Sequence, residues 1–336
     1  ASYFIYAPRS GWKSNATFPP PQKIYYVRIF MNTILLLNGI VGGIIFGAIY
    51  ALIGCSLNVL CGVLRVVNFA HGEFIIAGSF LSYVLLTLFG LHPILSLPIV
   101  TIAFFLIGFG LYYLLIPRLA KSDEPETSSF LLMFGVSLMM IAAMMWIFEA
   151  DIRAVEFSFD PINVSLLVIQ DAYGEGRDGR VIVPTARLVA LGINALLIIV
   201  LTYFLYRTLT GKAIRAAIMN REAIQIVGIN IHSLSASAFG LAAALAGITG
   251  VVLAFVVPSI DPNGGQDISL IGFIIIVLGG LGHPVGALIA GILFGLVEQI
   301  ATVFLPQAAA QMLGFIILII VIFVRPQGLM GRMTLR

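Results

Sequence analysis

The stretch RVVNFAHGEF, residues 65–74, places Asn68, His71 and Glu73 inside an otherwise apolar block running from about Thr33 to Phe89. An amide, an imidazole and a carboxylate this close together can bind an ion, hydrogen-bond a polar solute, or satisfy backbone groups freed by a break in a helix. Gly72, which has no Cβ, loosens a helix at that point. Two readings of Asn68, His71 and Glu73 are open: support of a broken backbone, or direct contact with a solute. A second polar pair, Glu298 and Gln299, interrupts the apolar run at about 285–304. It reads either as an interfacial pair toward the end of its helix or as polar lining of a translocation path.

Little else in the chain is equipped for chemistry. His71, His92, His232 and His283 are scattered, no HExxH occurs, and no Gly-rich loop precedes Lys212 at the spacing of a phosphate cradle. Cys55 and Cys61 share one apolar segment, with neither metal-ligand spacing nor a disulfide framework, and read as core. The chain is therefore expected to have no catalytic residue, no metal and no cofactor of its own. An intramembrane enzyme would need a paired nucleophile and base or a ligand cluster, and the sequence offers neither.

The elements that must hold these residues are membrane helices. Hydrophobic residues make up 60% of the 336, charged residues 10%, and the mean hydropathy is +1.08, whereas soluble domains carry about 25% charged residues. The apolar runs exceed the roughly 18–20 residues that cross a bilayer as helix, and they lack the alternation of an outer-membrane strand. The fold class is all-α, a polytopic transmembrane helix bundle of about eight spans plus broken or short helices. The block at 33–89 holds two spans, or one span and a broken helix. Further spans fall at about 94–116, 128–149, 185–207, 234–257, 285–304 and 308–324, and the piece at 268–281 is too short to cross. The first 28 residues contain no apolar core of the signal-peptide kind, so insertion is expected to proceed through the spans themselves.

Loop charge orients the bundle, because Lys and Arg are retained in the cytoplasm. Residues 207–233 hold Arg207, Lys212, Arg215 and Arg221 against Glu222 alone, and the tail 325–336 adds Arg325, Arg332 and Arg336 with no acid. Both are expected to be cytoplasmic. Loop 149–183 carries seven acids against three arginines and is expected outside. Counting spans back from the basic loop puts the N-terminal tail, 1–32, outside, yet its four basic residues argue for inside. A re-entrant or additional crossing between residues 50 and 75 would remove that conflict. Net charge of +3, confined to short loops, does not make the basic field that nucleic acid attracts.

Small residues recur every four positions at Gly43, Gly47 and Ala51, at Ala242, Ala246 and Gly250, and at Ala287, Gly291 and Gly295. This spacing lets helix backbones approach closely in lipid. The stretch GKAIRAAIMNREAIQIVGIN, 211–230, is different. Ala213, Ala216, Ala217, Ile224, Val227 and Ile231 lie at helical spacing among polar Arg215, Arg221 and Glu222, and Gly228 is placed to end a helix. It reads as a short helix lying across the cytoplasmic face, a docking element for a soluble partner.

VLRVVNFAHGEF, GKAIRAAIMNREAIQIVGIN, VLGGLGHPVGALIAGILFGLVEQI and VRPQGLMGR, in that order from about Asn38 to Arg332, resemble the inner-membrane permeases of bacterial ABC importers for branched-chain amino acids, the LivH type. The resemblance implies a transmembrane permease domain at 33–332, with 149–183 an external loop and 208–233 a cytoplasmic coupling loop. Its implied partners are a second, homologous permease subunit, two ATP-binding-cassette subunits that carry ATP and Mg, and a periplasmic substrate-binding protein. The implied location is the bacterial inner membrane. Arg221, Glu222, Ala223 and Gly228 match the family's coupling-loop pattern and are the expected ATPase contacts; Asn68, His71, Glu73, Glu298 and Gln299 are the translocation-path candidates. Similar permeases serve urea, short amides or aromatic acids, so the solute stays open. The tail of about 30 residues and the insertion DAYGEGRDGR, 171–180, are longer than the family suggests, and the insertion is a candidate contact for the binding protein. A stand-alone secondary carrier or channel is the alternative, with Glu73, His71 or Glu298 as its coupling group.

Overall fold

A computed structural model of the chain describes residues 21–64, 66–119, 124–149, 151–154, 163–169, 179–257 and 259–330. Residues 1–20, the core of the insertion at 171–178, Arg65, Arg332 and Arg336 lie outside the described residues. Eleven helices occur among those described: α1 Pro21–Leu64, α2 His71–Phe89, α3 Pro93–Leu119, α4 Pro125–Phe148, α5 Thr185–Arg207, α6 Leu209–Met219, α7 Arg221–Ile226, α8 Ile231–Val256, α9 Gly265–Gly279, α10 Pro284–Ala301 and α11 Gln307–Val324. Eight of them (α1 to α5, α8, α10 and α11) are long and apolar enough to cross a membrane. The six spans expected after residue 90 are all found within a few residues, and α9 is the short apolar piece that does not qualify.

Helix α8 is the hub. Nearly all of its residues are buried, whereas α3, α4, α5 and α11 turn most of their apolar surface outward. Large apolar side chains on the outer helices, among them Ile102, Leu106, Met139, Trp146, Ile199 and Phe323, are exposed as a lipid-facing belt requires. The recurring small residues sit at the closest helix contacts. A Cβ on Gly43 would lie 2.8 Å from Leu296 Cα and one on Gly47 2.9 Å from Ile292 Cα, while Gly291 and Gly295 press on Ala51 and Gly47 in return. The first and third small-residue rows therefore interlock as one α1–α10 seam. On α8, Gly250 rests on the α2 backbone at Ile75. Cys55 is buried, Cys61 half-buried, and both are free thiols.

The ends of the helices sort onto two faces. Near the end of α1, Gly62 abuts Ile218 of α6 and Gly282 in the α9–α10 turn. Leu329 N–H donates to Leu278 O at 2.8 Å and Met330 N–H to Gly279 O at 3.2 Å, which pins the C-terminal segment beside them. The basic loop and the C-terminal segment thus share one face. A cavity of about 670 Å³ opens there, lined in part by Tyr206, Arg215, Ile218, His283, Pro326 and Gln327.

The start of the α1 span lies at the opposite face. No additional crossing occurs between residues 50 and 75: α1 runs unbroken to Leu64, the chain loses helix at 66–70, and α2 departs from His71. The conflict with the basic N-terminal tail is therefore not relieved in the way expected. Two small antiparallel pairs occupy this opposite face. Strand β1 (Arg153–Ala154) pairs with β4 (Ser259–Ile260), and β2 (Asn163–Ile169) pairs with β3 (Gly179–Pro184), which leads into α5. The strands between 153 and 184 depart from the external loop expected at 149–183.

Candidate functional site

The bundle is interrupted twice in its interior, between α1 and α2 and ahead of α9, and the two breaks meet. Ser269, one turn into α9, donates from Oγ to Phe69 O at 2.8 Å and accepts from Gly72 N–H at 2.8 Å. One hydroxyl thus satisfies a carbonyl before α2 and an amide in its first turn. Asn68 accepts from Ala70 N–H at 3.0 Å through Oδ1, completing the turn into the helix. His71 Nε2 lies 2.9 Å from Ser56 Oγ of α1. These bonds match the demand that backbone freed within a membrane be satisfied by protein groups.

Glu73 stands among them, fully buried. Its Oε1 accepts from Ser137 Oγ of α4 at 3.1 Å, and its Oε2 has no hydrogen-bond partner among the described residues. The carboxylate presses against Gly265, the first residue of α9, so closely that any Cβ there would overlap it. Glycine at 265 is the residue that lets a helix start against a carboxylate. Beside this group, the Phe69 ring is enclosed by Phe130 and Phe134 of α4, each at 5.6 Å between centroids, and by Phe273 of α9 at 5.9 Å.

Asn68, His71 and Glu73 therefore lie at one break but bond three different elements, the local turn, α1 and α4, and Glu298 and Gln299 lie elsewhere. Glu298 is buried in the α1–α10 seam, where the Tyr50 hydroxyl approaches it without meeting hydrogen-bond geometry and both carboxylate oxygens lack a partner among the described residues. Gln299 is half-buried over Gly42 of α1. Sequence reasoning missed Ser56, Ser137, Ser269 and Gly265, since serine and glycine in apolar helices are ordinary. One signal was present: Phe130, Phe134 and Ser137 follow i, i+4, i+7 spacing, so they share a helix face.

On the basic face, the stretch read as one short helix is two. Asn220, at φ −153°, ends α6 and caps α7, its Oδ1 accepting from Glu222 N–H and Ala223 N–H at 3.0 Å each. An asparagine that takes both amides favours a new start over continuation. Thr208 caps α6 through Gly211 N–H at 3.0 Å, Asn230 caps α8, and Gly228 at φ +84° closes α7 in the left-handed conformation expected of it. Arg215 holds α6 to α5, with its guanidinium 4.1 Å from the Tyr206 ring centroid and its Nε donating to Leu205 O.

Ile214, Ala217 and Ile224 face the bundle, while Glu222, Ala223 and Gly228 are exposed and Arg221 is half-exposed. Val227, grouped with the apolar face in the sequence, instead points outward at 78% exposure, beside Ile226 at 88%; Leu209 and Met219 are exposed as well.

The family described as branched-chain amino acid transport system / permease component matches residues 39–323. The chain belongs to this permease family. It is 27% identical to the high-affinity branched-chain amino acid transport system permease protein BraD of Pseudomonas aeruginosa, over 88% of this chain and 96% of that one. It is 28% identical to the permease protein LivH of Escherichia coli K12, over 86% and 94%. To the permease protein LivM of the same organism it is 26% identical, over 92% of this chain and 75% of that one. No solved structure matches the permease significantly.

Proposed function

We propose that this permease is the transmembrane translocation subunit of an ATP-driven importer for branched-chain or related amino acids. Energy comes from two separate ATP-binding-cassette subunits that hold ATP and Mg, and a periplasmic binding protein delivers the solute. The observation that carries the reading is the α6–α7 unit: two capped helices anchored by buried Ile214 and Ile224 that present Leu209, Met219, Ile226 and Val227 outward from a basic face. Exposed apolar side chains of this size rimmed by charge mark a surface that meets a protein. Arg221, Glu222, Ala223 and Gly228 belong to that surface and are assigned to ATPase contact. The face they share with the C-terminal segment is cytoplasmic on this reading, in a bacterial inner membrane. Similarity to both LivH and LivM supports a second, homologous permease chain as partner.

Coupling follows by population shift. Closure of an ATPase dimer changes its contacts with α6 and α7, and a difference in contact energy between two states of the bundle is what moves the bundle between them. The solute path is assigned to the meeting of the two breaks around Asn68, His71 and Glu73, with Glu298 and Gln299 in the fixed seam beside it.

Reversing charge at both Arg221→Glu and Glu222→Lys is expected to weaken recovery of ATP-binding-cassette subunits on mild-detergent purification while leaving the bundle folded. Undiminished recovery with that double variant would remove α6–α7 from the coupling role.

A further inference from the structure

Among the described residues, Glu73 is a fully buried carboxylate with one oxygen satisfied by a serine and the other by nothing. A buried carboxylate without a partner is costly as an anion; the cost is relieved by protonation or by a cation or donor that fills the vacant position in some working state, and at Glu73 the helix break and the neighbouring rings favour the second. Glu73 touches three helices: it belongs to α2, bonds Ser137 of α4 and abuts the first residue of α9. The Phe69 ring, in the break before α2, packs against Phe130 and Phe134 of α4 and Phe273 of α9, the two helices that Glu73 also meets. One apolar wall and one anionic acceptor in the bundle interior are complementary to a molecule with a hydrocarbon branch at one end and a positive group at the other.

We infer that Glu73 binds the positively charged amino group of the transported solute, with the aromatic cluster around Phe69 receiving its apolar side chain. The inference rests on the importer reading and narrows it. An ammonium group gives Oε2 a charge-assisted hydrogen bond, about twice as strong as a neutral one, and adds Coulomb attraction that the low-dielectric interior leaves unscreened. Urea and simple amides provide neither the charge nor that bond. The carboxylate is covered in this conformation by α4 at Oε1 and by the start of α9 at Oε2. Helix α4 turns most of its apolar surface outward and meets the site through Phe130, Phe134 and Ser137, so its displacement frees the carboxylate from Ser137 and opens the Phe69 and Phe273 rings, and a small shift of Gly265 then clears Oε2.

The test uses the permease with its ATPase partners in nanodiscs and radiolabelled leucine as probe, competed by isopentylamine, which keeps the positive group, and by isocaproamide, a neutral amide with a similar hydrocarbon end. The amine is expected to displace leucine and the amide to fail at about tenfold higher concentration. Glu73→Gln should lower leucine affinity at least about tenfold and abolish the amine–amide difference, the size expected for loss of one charge-assisted bond, with Glu73→Asp intermediate. Equal competition by the two compounds on the wild type, leucine binding unchanged in Glu73→Gln, or no leucine binding by the wild type would each overturn the assignment. The competition series needs no variant, so misfolding of Glu73→Gln does not shield the proposal. ATP-driven leucine uptake by the wild-type complex in proteoliposomes separates the two levels. Uptake present with any of those results sinks the Glu73 role alone, whereas absent uptake sinks the importer reading.

Discussion

Two polar positions on α1, Tyr50 and Ser56, lie six residues and about 9 Å apart along the helix, and the bundle treats them differently. At Tyr50 the neighbour is α10, an unbroken helix locked to α1 by Gly43, Gly47, Gly291 and Gly295, and the buried acid there, Glu298, sits in a seam with backbones almost touching. At Ser56 the neighbours are the starts of α2 and α9, joined by hydroxyl bridges, and the buried acid, Glu73, sits where three helices end or cross. Close backbone packing resists motion because nothing can give without losing many contacts at once. A junction held by a few hydrogen bonds has discrete alternatives. The seam is the frame on this account, and the junction is the part that changes state.

The comparison breaks most visibly at the seam. Gly291→Leu drives a side chain into the Ala51 backbone and is expected to cost about 3 kcal/mol or more. Loss of a monodisperse peak in detergent would show it, and a normal peak would mean that the seam can open. Ser269→Ala removes the hydroxyl shared by Phe69 O and Gly72 N–H, two buried backbone groups, for about 2 kcal/mol in thermal unfolding. The junction is not hydroxyl-held if that variant melts with the parent protein.

Asn220→Ala deletes both bonds that start α7, worth about 1 kcal/mol locally. Hydrogen exchange should quicken over 221–226 and stay unchanged in the seam; uniform protection would contradict an independently capped α7. Glu298→Gln is the mildest change. It replaces an acid with two unpartnered oxygens by an isosteric amide, so the expected outcome is unaltered uptake and stability equal to or about 1 kcal/mol above the parent. A collapse of uptake would move Glu298 into the path and erase the distinction between the two acids.

How much of this was legible in the sequence follows from the physics of each region. Spans from residue 90 onward were readable because hydropathy over some 20 residues sums to a large free energy that local detail cannot reverse. The interlocked seam was half-legible: four-residue spacing marked Gly43, Gly47, Gly291 and Gly295 as contact residues but could not say that the two rows face each other. Asn68, His71 and Glu73 stood out because polar groups in an apolar block are rare.

Their partners did not. Ser56, Ser137 and Ser269 come from three separate helices, 64 residues apart in the case of Glu73 and Ser137 and 197 for Gly72 and Ser269, and only the fold brings them together. The division of α6 from α7 was missed because the apolar period runs through Asn220 almost in phase, while the decisive fact is a side chain that caps rather than continues. Strands in 149–183 went unread because a short hairpin carries little periodic signal.

The central claim is that the bundle moves solute only when separate ATPases drive it through α6 and α7. The most direct measurement is leucine uptake into sealed proteoliposomes charged with binding protein, with and without the ATP-binding-cassette subunits and ATP. Uptake that requires both is the predicted result; uptake of equal rate by the permease alone, following a proton or sodium gradient, would contradict it.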